Sequence, residues 1–287
     1  MKTTIQLFIL FIISTTALAQ DNGNIDIDKT YDINQKGTLY LKSDDADVSI
    51  TGTDRKDVHV KIHRRYVEKG IVMGERDFKV EITERSGDLY IEDFEQSGTI
   101  TIVGYMNEHY EITIEMPKTI SLNIKGDDDD YHIKNINGKI RMNVDDGDAR
   151  FTNCKGSYFD FDFDDGDIVM DVGSGELKLA LDDGDFEVEK ADFSKVNASV
   201  DDGDINIKTS LDNNGTYSFT IDDGSVELTV LSGGGEFTIY HDETSISTIG
   251  EFNKTSDYDN KSILNLSKGT ANVKIRSDDG QIRLKAM

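Results

Sequence analysis

The feature that most constrains the fold is a repeat of the four letters DDGD. It occurs at residues 145–148, 164–167, 182–185 and 201–204, and a related DDGS follows at 222–225. The glycines of these five turns are separated by 19, 18, 19 and 21 residues. A repeat of nearly constant length is typical of chains that stack one structural unit on the next.

Each repeat contains two turns joined by two strands. Gly156 and Gly175 lie nine residues after Gly147 and Gly166, so a second turn falls half-way through the unit. Between the turns apolar and charged residues alternate, as in FDFDFDDGDIVMDV at residues 159–172. A period of two places one face of each strand in a core and the other face in water.

Two all-β arrangements satisfy this pattern. In a single-chain β-solenoid, which is β-helix-like, each unit of about 19 residues is a two-strand coil, and coils stack in parallel about 4.8 Å apart. In an antiparallel β-meander or barrel, each Asp-Gly is a hairpin turn. Near-identical units favour the solenoid, and the meander remains the alternative.

The two ends of the chain are less regular than the repeat. Residues 1–19 contain Lys2, then an apolar run and then a cleavage site of small residues. This order predicts a secretory signal peptide. Residues 20–120 predict an irregular, β-rich N-terminal part of the solenoid domain, and residues 121–287 predict the regular DDGD solenoid. The stretch between Arg64 and Asp77 lacks alternation and predicts a loop.

Two positions extend the repeat in either direction. Asp129, in GDDDDYHI, takes the place of the turn glycine 18 residues before Gly147. Gly280, in RSDDGQIRL, lies 56 residues after Gly224, which is close to three periods. Residues 234–270 are too degenerate to assign to individual coils.

The charge of the chain limits its partners and location. The formal net charge is −25, which disfavours nucleic acid and anionic lipid and favours cations. No second long apolar stretch follows the signal, so no membrane span is predicted. The predicted signal peptide indicates an exported protein, which is expected in a periplasm, at the cell surface or in the medium. Cys154 is the only cysteine and is predicted to be a buried, unpaired thiol.

The order of these parts resembles a known family. Three segments are similar to successive parts of the bacterial exported "putative adhesin" domains of unknown function, which are related to auto-transporter adhesin head domains. These segments are GTLYLKSDDADVSITGTDRKDVHVKI, YEITIEMPKTISLNIKGDDDD and INGKIRMNVDDGDA. The resemblance covers residues from about 38 to 287. It implies a β-solenoid-like cell-envelope protein, and it transfers no catalytic residue. The chain departs from the family by placing Asp-Asp before the turn glycine.

The acidic turns are the candidate metal site. Like charges about 4.8 Å apart repel by about 0.9 kcal/mol in water and about 3.5 kcal/mol at an effective dielectric of 20. One Ca²⁺ can bridge two such carboxylates, whereas the alternative is that the side chains are solvated turn residues with loosely held counterions. The candidate calcium ligands are Asp145, Asp146, Asp148, Asp164, Asp165, Asp167, Asp182, Asp183, Asp185, Asp201, Asp202, Asp204, Asp222 and Asp223.

Catalysis is the competing function. Polysaccharide-active β-helix enzymes need a few unlike groups at one place, whereas these carboxylates are interchangeable along the stack. His59 and His63 lie on one side of a strand, and KIHRRY at residues 61–66 is predicted to be a solvated strand end. The sequence therefore predicts a non-catalytic protein that presents an acidic surface to an unknown envelope protein or glycan. A Ca²⁺-dependent polysaccharide-active enzyme is the alternative.

Overall fold

A computed structural model describes residues 24–73, 76–97, 101–267 and 269–287. The predicted signal peptide, residues 1–19, lies outside the described residues. The described residues form twenty strands, and no helix among them is long and apolar enough to cross a membrane. In chain order the strands are β1 (Ile25–Tyr31), β2 (Thr38–Lys42), β3 (Asp47–Thr53), β4 (Val58–Met73), β5 (Arg76–Arg85), β6 (Asp88–Ser97), β7 (Thr101–Pro117), β8 (Ser121–Gly126), β9 (Asp130–Lys134), β10 (Ile140–Asp146), β11 (Ala149–Thr152), β12 (Tyr158–Asp165), β13 (Ile168–Met170), β14 (Gly173–Asp183), β15 (Phe186–Ser210), β16 (Thr216–Ser232), β17 (Gly235–Ile249), β18 (Phe252–Tyr258), β19 (Lys261–Leu266) and β20 (Ala271–Ala286).

The repeats stack as parallel coils. Strand β12 pairs in parallel with β10 and β14, while β13, which follows it in the chain, pairs in parallel with β11 and β15. Phe161 stands opposite Met142 on one side and Leu179 on the other, so equivalent residues of successive repeats are neighbours. Each Asp-Gly turn therefore connects the two strands of one coil. This pairing confirms the predicted β-solenoid.

The coils present two faces to solvent. Face A contains β2, β8, β10, β12 and residues 176–183, 195–202, 216–223, 235–243 and 271–279. Face B contains β3, β9, β11, β13 and residues 186–188, 204–210, 225–232, 245–249 and 281–286.

The core lies between the two faces. Phe159, Phe161 and Phe163 of face A are at most 1% exposed, and the aspartates between them point outward. The ring of Phe161 stacks on Phe151 of face B at a centroid distance of 4.9 Å. Cys154 is also buried, which raises the pKa of its thiol to about 11. Burying such side chains is the main source of stability, at about 25 cal/mol per Å² of apolar surface.

The N-terminal part begins as a coil and then adds antiparallel strand pairs beside it. Strands β2 and β3 pair in parallel with β8 and β9, so residues 38–53 form the first coil. The chain then makes two antiparallel pairs, β4 with β7 and β5 with β6. Strands β6 and β7 also pair in parallel with β2 and β3, so the first coil has neighbours on both sides. The predicted loop between Arg64 and Asp77 is wrong, because β4 continues to Met73. Backbone pairing with the distant β7 keeps this segment extended without alternation.

The C-terminal end does not follow chain order. Strand β20 pairs in parallel with both β16 and β17, so the last coil is inserted between two earlier ones. Gly280 stands directly opposite Gly224, and no intervening coils separate them, contrary to what a spacing of three periods indicated. Residues 234–270 contribute β17, the outermost coil, and the hairpin β18–β19, which pairs antiparallel with the first part of β17.

Candidate functional site

The DDGD turns align along one edge of the solenoid, which we call the acidic corner. It comprises the fourteen predicted calcium ligands, all of which are exposed. Asp165 pairs with Asp146 and Asp183, and Asp202 pairs with Asp183 and Asp223. The structure thus brings the predicted residues together as rows along the stack rather than around one point.

Glycine is required at this corner by the neighbouring coil. Gly166 has a φ of +128°, and a Cβ atom on it would lie 2.2 Å from the carbonyl oxygen of Gly147. The same contact recurs between Gly184 and Gly166 at 2.2 Å. Such a distance is far inside van der Waals contact, so no other residue fits without displacing the backbone.

The last aspartate of each turn has a structural role. Asp148 Oδ1 accepts a hydrogen bond from the backbone N–H of Asp167 at 2.9 Å, and Asp167 Oδ1 does the same for Asp185 at 2.9 Å. Asp185 continues the series to Asp204, which accepts bonds from the N–H and hydroxyl of Ser225. We call this series the aspartate ladder, and it links each coil to the next.

The first aspartates of the turns interact differently. Partial desolvation, followed by repulsion from Asp145 and Asp182, raises the pKa of Asp164. The same causes, with Asp182 and Asp222 as the neighbours, raise the pKa of Asp201. These carboxylates therefore carry the like-charge repulsion that a cation would relieve.

The corner changes where Asp129 replaces the turn glycine. Asp129 is fully buried, and its Oδ1 accepts the N–H of Ala46 at 2.7 Å. Its Oδ2 accepts the hydroxyls of Ser43 at 3.1 Å and Tyr131 at 2.9 Å, and the N–H of Asp127 at 3.3 Å. Desolvation is only partly offset by these donors, so the pKa of Asp129 rises to about 6.

A second buried carboxyl group, Asp93, lies near Asp129. It is 6% exposed, and its Oδ2 accepts the hydroxyl of Tyr110 at 2.9 Å and the N–H of Asp44 at 3.3 Å. Burial is the largest cause that raises the pKa of Asp93 to about 7, and the charge of Asp129 contributes. Asp93 therefore changes protonation near neutral pH, unlike an ordinary carboxyl group.

Asp93 belongs to a cleft of about 430 Å³ between the first coil and the β5–β6 hairpin. Asp44 and Asp127 also line it, and their carboxylate oxygens lie within 4.8 Å of each other and of Asp128. In the cleft a buried carboxyl group, Asp93, therefore lies beside the exposed carboxylates of Asp44 and Asp127.

Arg64 and Asp93 are the residues that sequence reasoning missed. Arg64 belongs to residues 61–66, for which the sequence predicts a solvated strand end. It is instead 2% exposed and forms an ion pair with Glu108, and its guanidinium carbon lies 3.7 Å from the ring centre of Phe78. The replacement of glycine by Asp129 was the available signal that this corner is specialised.

The two histidines of β4 face acidic side chains of β1. His59 Nε2 lies 2.6 Å from a carboxylate oxygen of Asp28, and His63 Nδ1 lies 3.8 Å from one of Asp26. Both pairs stand on the outer side of the β1–β4 pair, so each histidine contacts its own carboxylate across the strands rather than sharing a metal site with the other.

A family model described as Toastrack DUF4097 matches residues 37–285. The chain belongs to this family. The match confirms the resemblance drawn from the order of strands and turns. No curated protein matches the chain.

Solved structures give further similar proteins. A putative adhesin from Parabacteroides distasonis is 9% identical, with a TM-score of 0.45 and coverage of 92% of this chain and 98% of that one. A putative adhesin from Bacteroides fragilis is 12% identical, with a TM-score of 0.41 and the same coverage. A putative cell adhesion protein from Clostridium sporogenes is 14% identical, with a TM-score of 0.30 and coverage of 92% and 100%.

Proposed function

We propose that this Toastrack protein is a non-catalytic, exported protein of the bacterial cell envelope that binds an envelope protein or glycan. The observation that carries the proposal is the continuity of the outer rows. Tyr158, Glu176, Lys195 and Thr216 stand side by side on consecutive strands of face A. Rows of this kind make an extended surface, which suits a polymer or a protein better than a small molecule.

The arrangement of the acidic residues supports a binding protein rather than an enzyme. Along the regular corner the carboxylates repeat, and one in each turn bonds the next coil. Catalysis of polysaccharide cleavage needs an acid and a base or nucleophile that face one substrate atom. The adhesin names belong to the similar solved structures, and adhesion by this chain is part of the proposal.

One screen tests the proposal against the enzyme alternative. Protein comprising residues 20–287 is incubated with a panel of envelope and plant polysaccharides, and both binding and released reducing ends are measured. We expect binding without product. Release of product that a single substitution such as Asp93→Asn abolishes would replace the proposal by the enzyme.

Calcium stabilisation of the acidic corner stays a prediction. The first two aspartates of each turn have the spacing and charge for it, whereas the last aspartate already bonds a backbone N–H. We expect millimolar Ca²⁺ to raise the melting temperature more than Na⁺ of equal ionic strength. Equal shifts would indicate loosely held counterions only.

A further inference from the structure

The outer surface of face A carries the outward-facing tyrosines of the described coils. Tyr40, Tyr158 and Tyr240 project from face A, Tyr90 projects from β6 beside it, and no outward tyrosine or phenylalanine lies on the described coils of face B. Tyr40 and Tyr90 stack at a centroid distance of 4.5 Å. Tyrosine offers a rigid apolar face together with a hydroxyl group, which suits contact with ring-shaped polar ligands.

A groove of about 330 Å³ crosses the strands of face A beside Tyr158. Its shape follows from side-chain size. Strand β16 contributes the short Thr216 and Ser218, whereas longer lysines stand on the flanking strands. The groove runs along the solenoid axis, across β12, β14, β15, β16 and β20.

The groove has a cationic character in an otherwise acidic chain. Lys178, Lys195 and Lys274 line it, while Glu176 is its one acidic lining residue among those described. Lys195 Nζ lies 3.7 Å from Glu176, and Lys178 Nζ lies 3.0 Å from Asp160 outside the groove. Lys274 Nζ lies 5.3 Å from the ring centre of Tyr240, and Lys274 forms no ion pair with the described residues.

The acidic corner does not cancel this charge at physiological salt. Asp182 is the nearest corner residue on the strand of Lys178, four positions away, or roughly 13 Å along an extended chain. The Debye length is about 8 Å at 0.15 M ionic strength, so the exposed corner charges are largely screened at the groove. The net negative charge of the chain repels a polyanion at low salt. At 0.15 M ionic strength this repulsion is therefore weak at the groove.

We propose that the groove on face A binds an acidic polysaccharide whose sugar residues carry carboxylates. The lysines bind the carboxylates, the amides of Asn197 and Asn272 and the hydroxyl of Ser218 bond the sugar hydroxyls, and Tyr158 packs against a sugar ring. The glycan lies across the strands, because the groove runs in that direction. This inference deepens the proposed function and rests on it, since it names the surface and the class of partner.

Calorimetry with defined oligosaccharides tests the charge requirement. Oligogalacturonate is the acidic probe, and galactan oligomers of equal length are the neutral probe. We expect the wild-type chain to bind oligogalacturonate at 0.15 M salt at least roughly tenfold more tightly than the galactan. Equal affinity for the two probes, or no affinity for oligogalacturonate, would overturn the inference.

Charge-matched variants test the location. The triple variant Lys178→Gln, Lys195→Gln, Lys274→Gln is expected to lose at least roughly tenfold in affinity for oligogalacturonate. A control variant with the same charge change, Lys61→Gln, Lys134→Gln, Lys190→Gln, removes exposed lysines elsewhere and is expected to retain wild-type affinity. Equal losses in the two variants would mean a general charge effect and would overturn the site.

A charge-neutral pair tests the groove itself. Ser218→Tyr fills the floor of the groove, whereas Ser199→Tyr places the same side chain on the adjacent strand outside it. We expect only Ser218→Tyr to abolish binding. Equal binding by both variants would overturn the proposed site. If oligogalacturonate fails while another envelope component binds in the screen, this inference falls and the proposed function stands.

Discussion

The two kinds of corner in this solenoid use the same residue, aspartate, in opposite ways. At the regular corners Gly166 and Gly184 make the turn, and the aspartates beside them are exposed. At the corner between β8 and β9, which precedes the regular turns and is called here the first corner, Asp129 occupies the glycine position. Its side chain lies in the interior, next to Asp93. The antiparallel pairs β4–β7 and β5–β6 lie beside this corner, so buried partners such as Tyr110 surround its carboxyl groups.

The two kinds of corner differ in whether their aspartates have repeated or unique neighbours. In the regular turns each aspartate has the same neighbours one coil away, so its protonation and bonding repeat along the stack. At the first corner Tyr110, Tyr131 and Ser43 occur once each and bond particular carboxylate oxygens. Carboxyl groups with individual pKa values are therefore expected where the repeat begins, and the following experiments test the contrast between the two corners.

The largest effect is expected for Gly166→Ala. Its Cβ atom would meet the carbonyl oxygen of Gly147 at 2.2 Å in a backbone conformation with φ of +128°. We expect the free energy of unfolding to fall by about 4 kcal/mol or more. Urea denaturation measures this loss, with the exposed neighbour change Asp165→Ala as a control expected to alter stability by less than about 0.5 kcal/mol. A tolerated alanine would contradict the close contact between coils.

A pH-dependent effect is expected for Asp93→Asn. The pKa of Asp93 is about 7 in the folded chain, above the value of about 4 for an unfolded aspartate, so the folded state binds the extra proton between these values. Its contribution to stability is therefore full below about pH 4 and is lost as the pH rises through 7.

The amide introduced by Asp93→Asn keeps an acceptor for the hydroxyl of Tyr110 and removes the titration. We expect this variant to flatten the stability profile between pH 5 and 9 by on the order of 3 kcal/mol and to be the more stable form above about pH 8. Thermal unfolding across this range measures the effect. Asp47→Asn, at an exposed position, serves as the control, and an unchanged slope in Asp93→Asn would contradict the buried, protonated carboxyl group.

Asp129→Gly gives the first corner the glycine found in the regular turns. Glycine suits the turn but leaves the N–H of Ala46 and the hydroxyl groups of Ser43 and Tyr131 without their acceptor. We expect a loss of about 2–3 kcal/mol, because unsatisfied buried donors are costly. Chemical denaturation checks this loss against Asp146→Ala, an exposed change one coil away. Equal stability of the two variants would mean that Asp129 is only a turn residue.

The smallest effects compare aspartates within one turn. Asp167→Ala removes the acceptor for the N–H of Asp185 and is expected to cost about 1 kcal/mol. Asp164→Asn removes a charge that its neighbours Asp145 and Asp182 oppose, so it is expected to raise the melting temperature, most strongly at low salt. Calorimetric scans at two salt concentrations measure both changes. The same sign for both variants would contradict the different roles of the two positions.

The sequence predicted the local features of the fold well. Strict alternation at residues 159–172 indicated which side chains are buried, and Phe159 and Ile168 are fully buried as expected. The nearly constant spacing of the turn glycines predicted that Gly166 stacks on Gly147. These features depend on period two and on turn geometry, which a chain carries in its own residues.

Features that depend on distant pairing were not predictable. The chain from Arg64 to Met73 is extended because β7, about forty residues later, bonds to it. Gly280 lies beside Gly224 because β20 pairs with β16 on one side and with β17 on the other. Sequence spacing does not reveal this order, since a coil can pair with any exposed strand edge that matches it. The burial of Asp93 likewise required the β5–β6 hairpin to pack beside the first coil.

The sequence by itself determined the coil, its length and its alternation of core and solvent side chains, because these arise from interactions between near neighbours and identical repeats. The tertiary structure alone decided the order of the last coils, the ionisation of Asp93 and Asp129 and the groove on face A. Those properties depend on which distant residues exclude water from a side chain or leave space beside it. For the same run of aspartates, the surrounding chain decides between a solvated corner and a buried proton-binding pair.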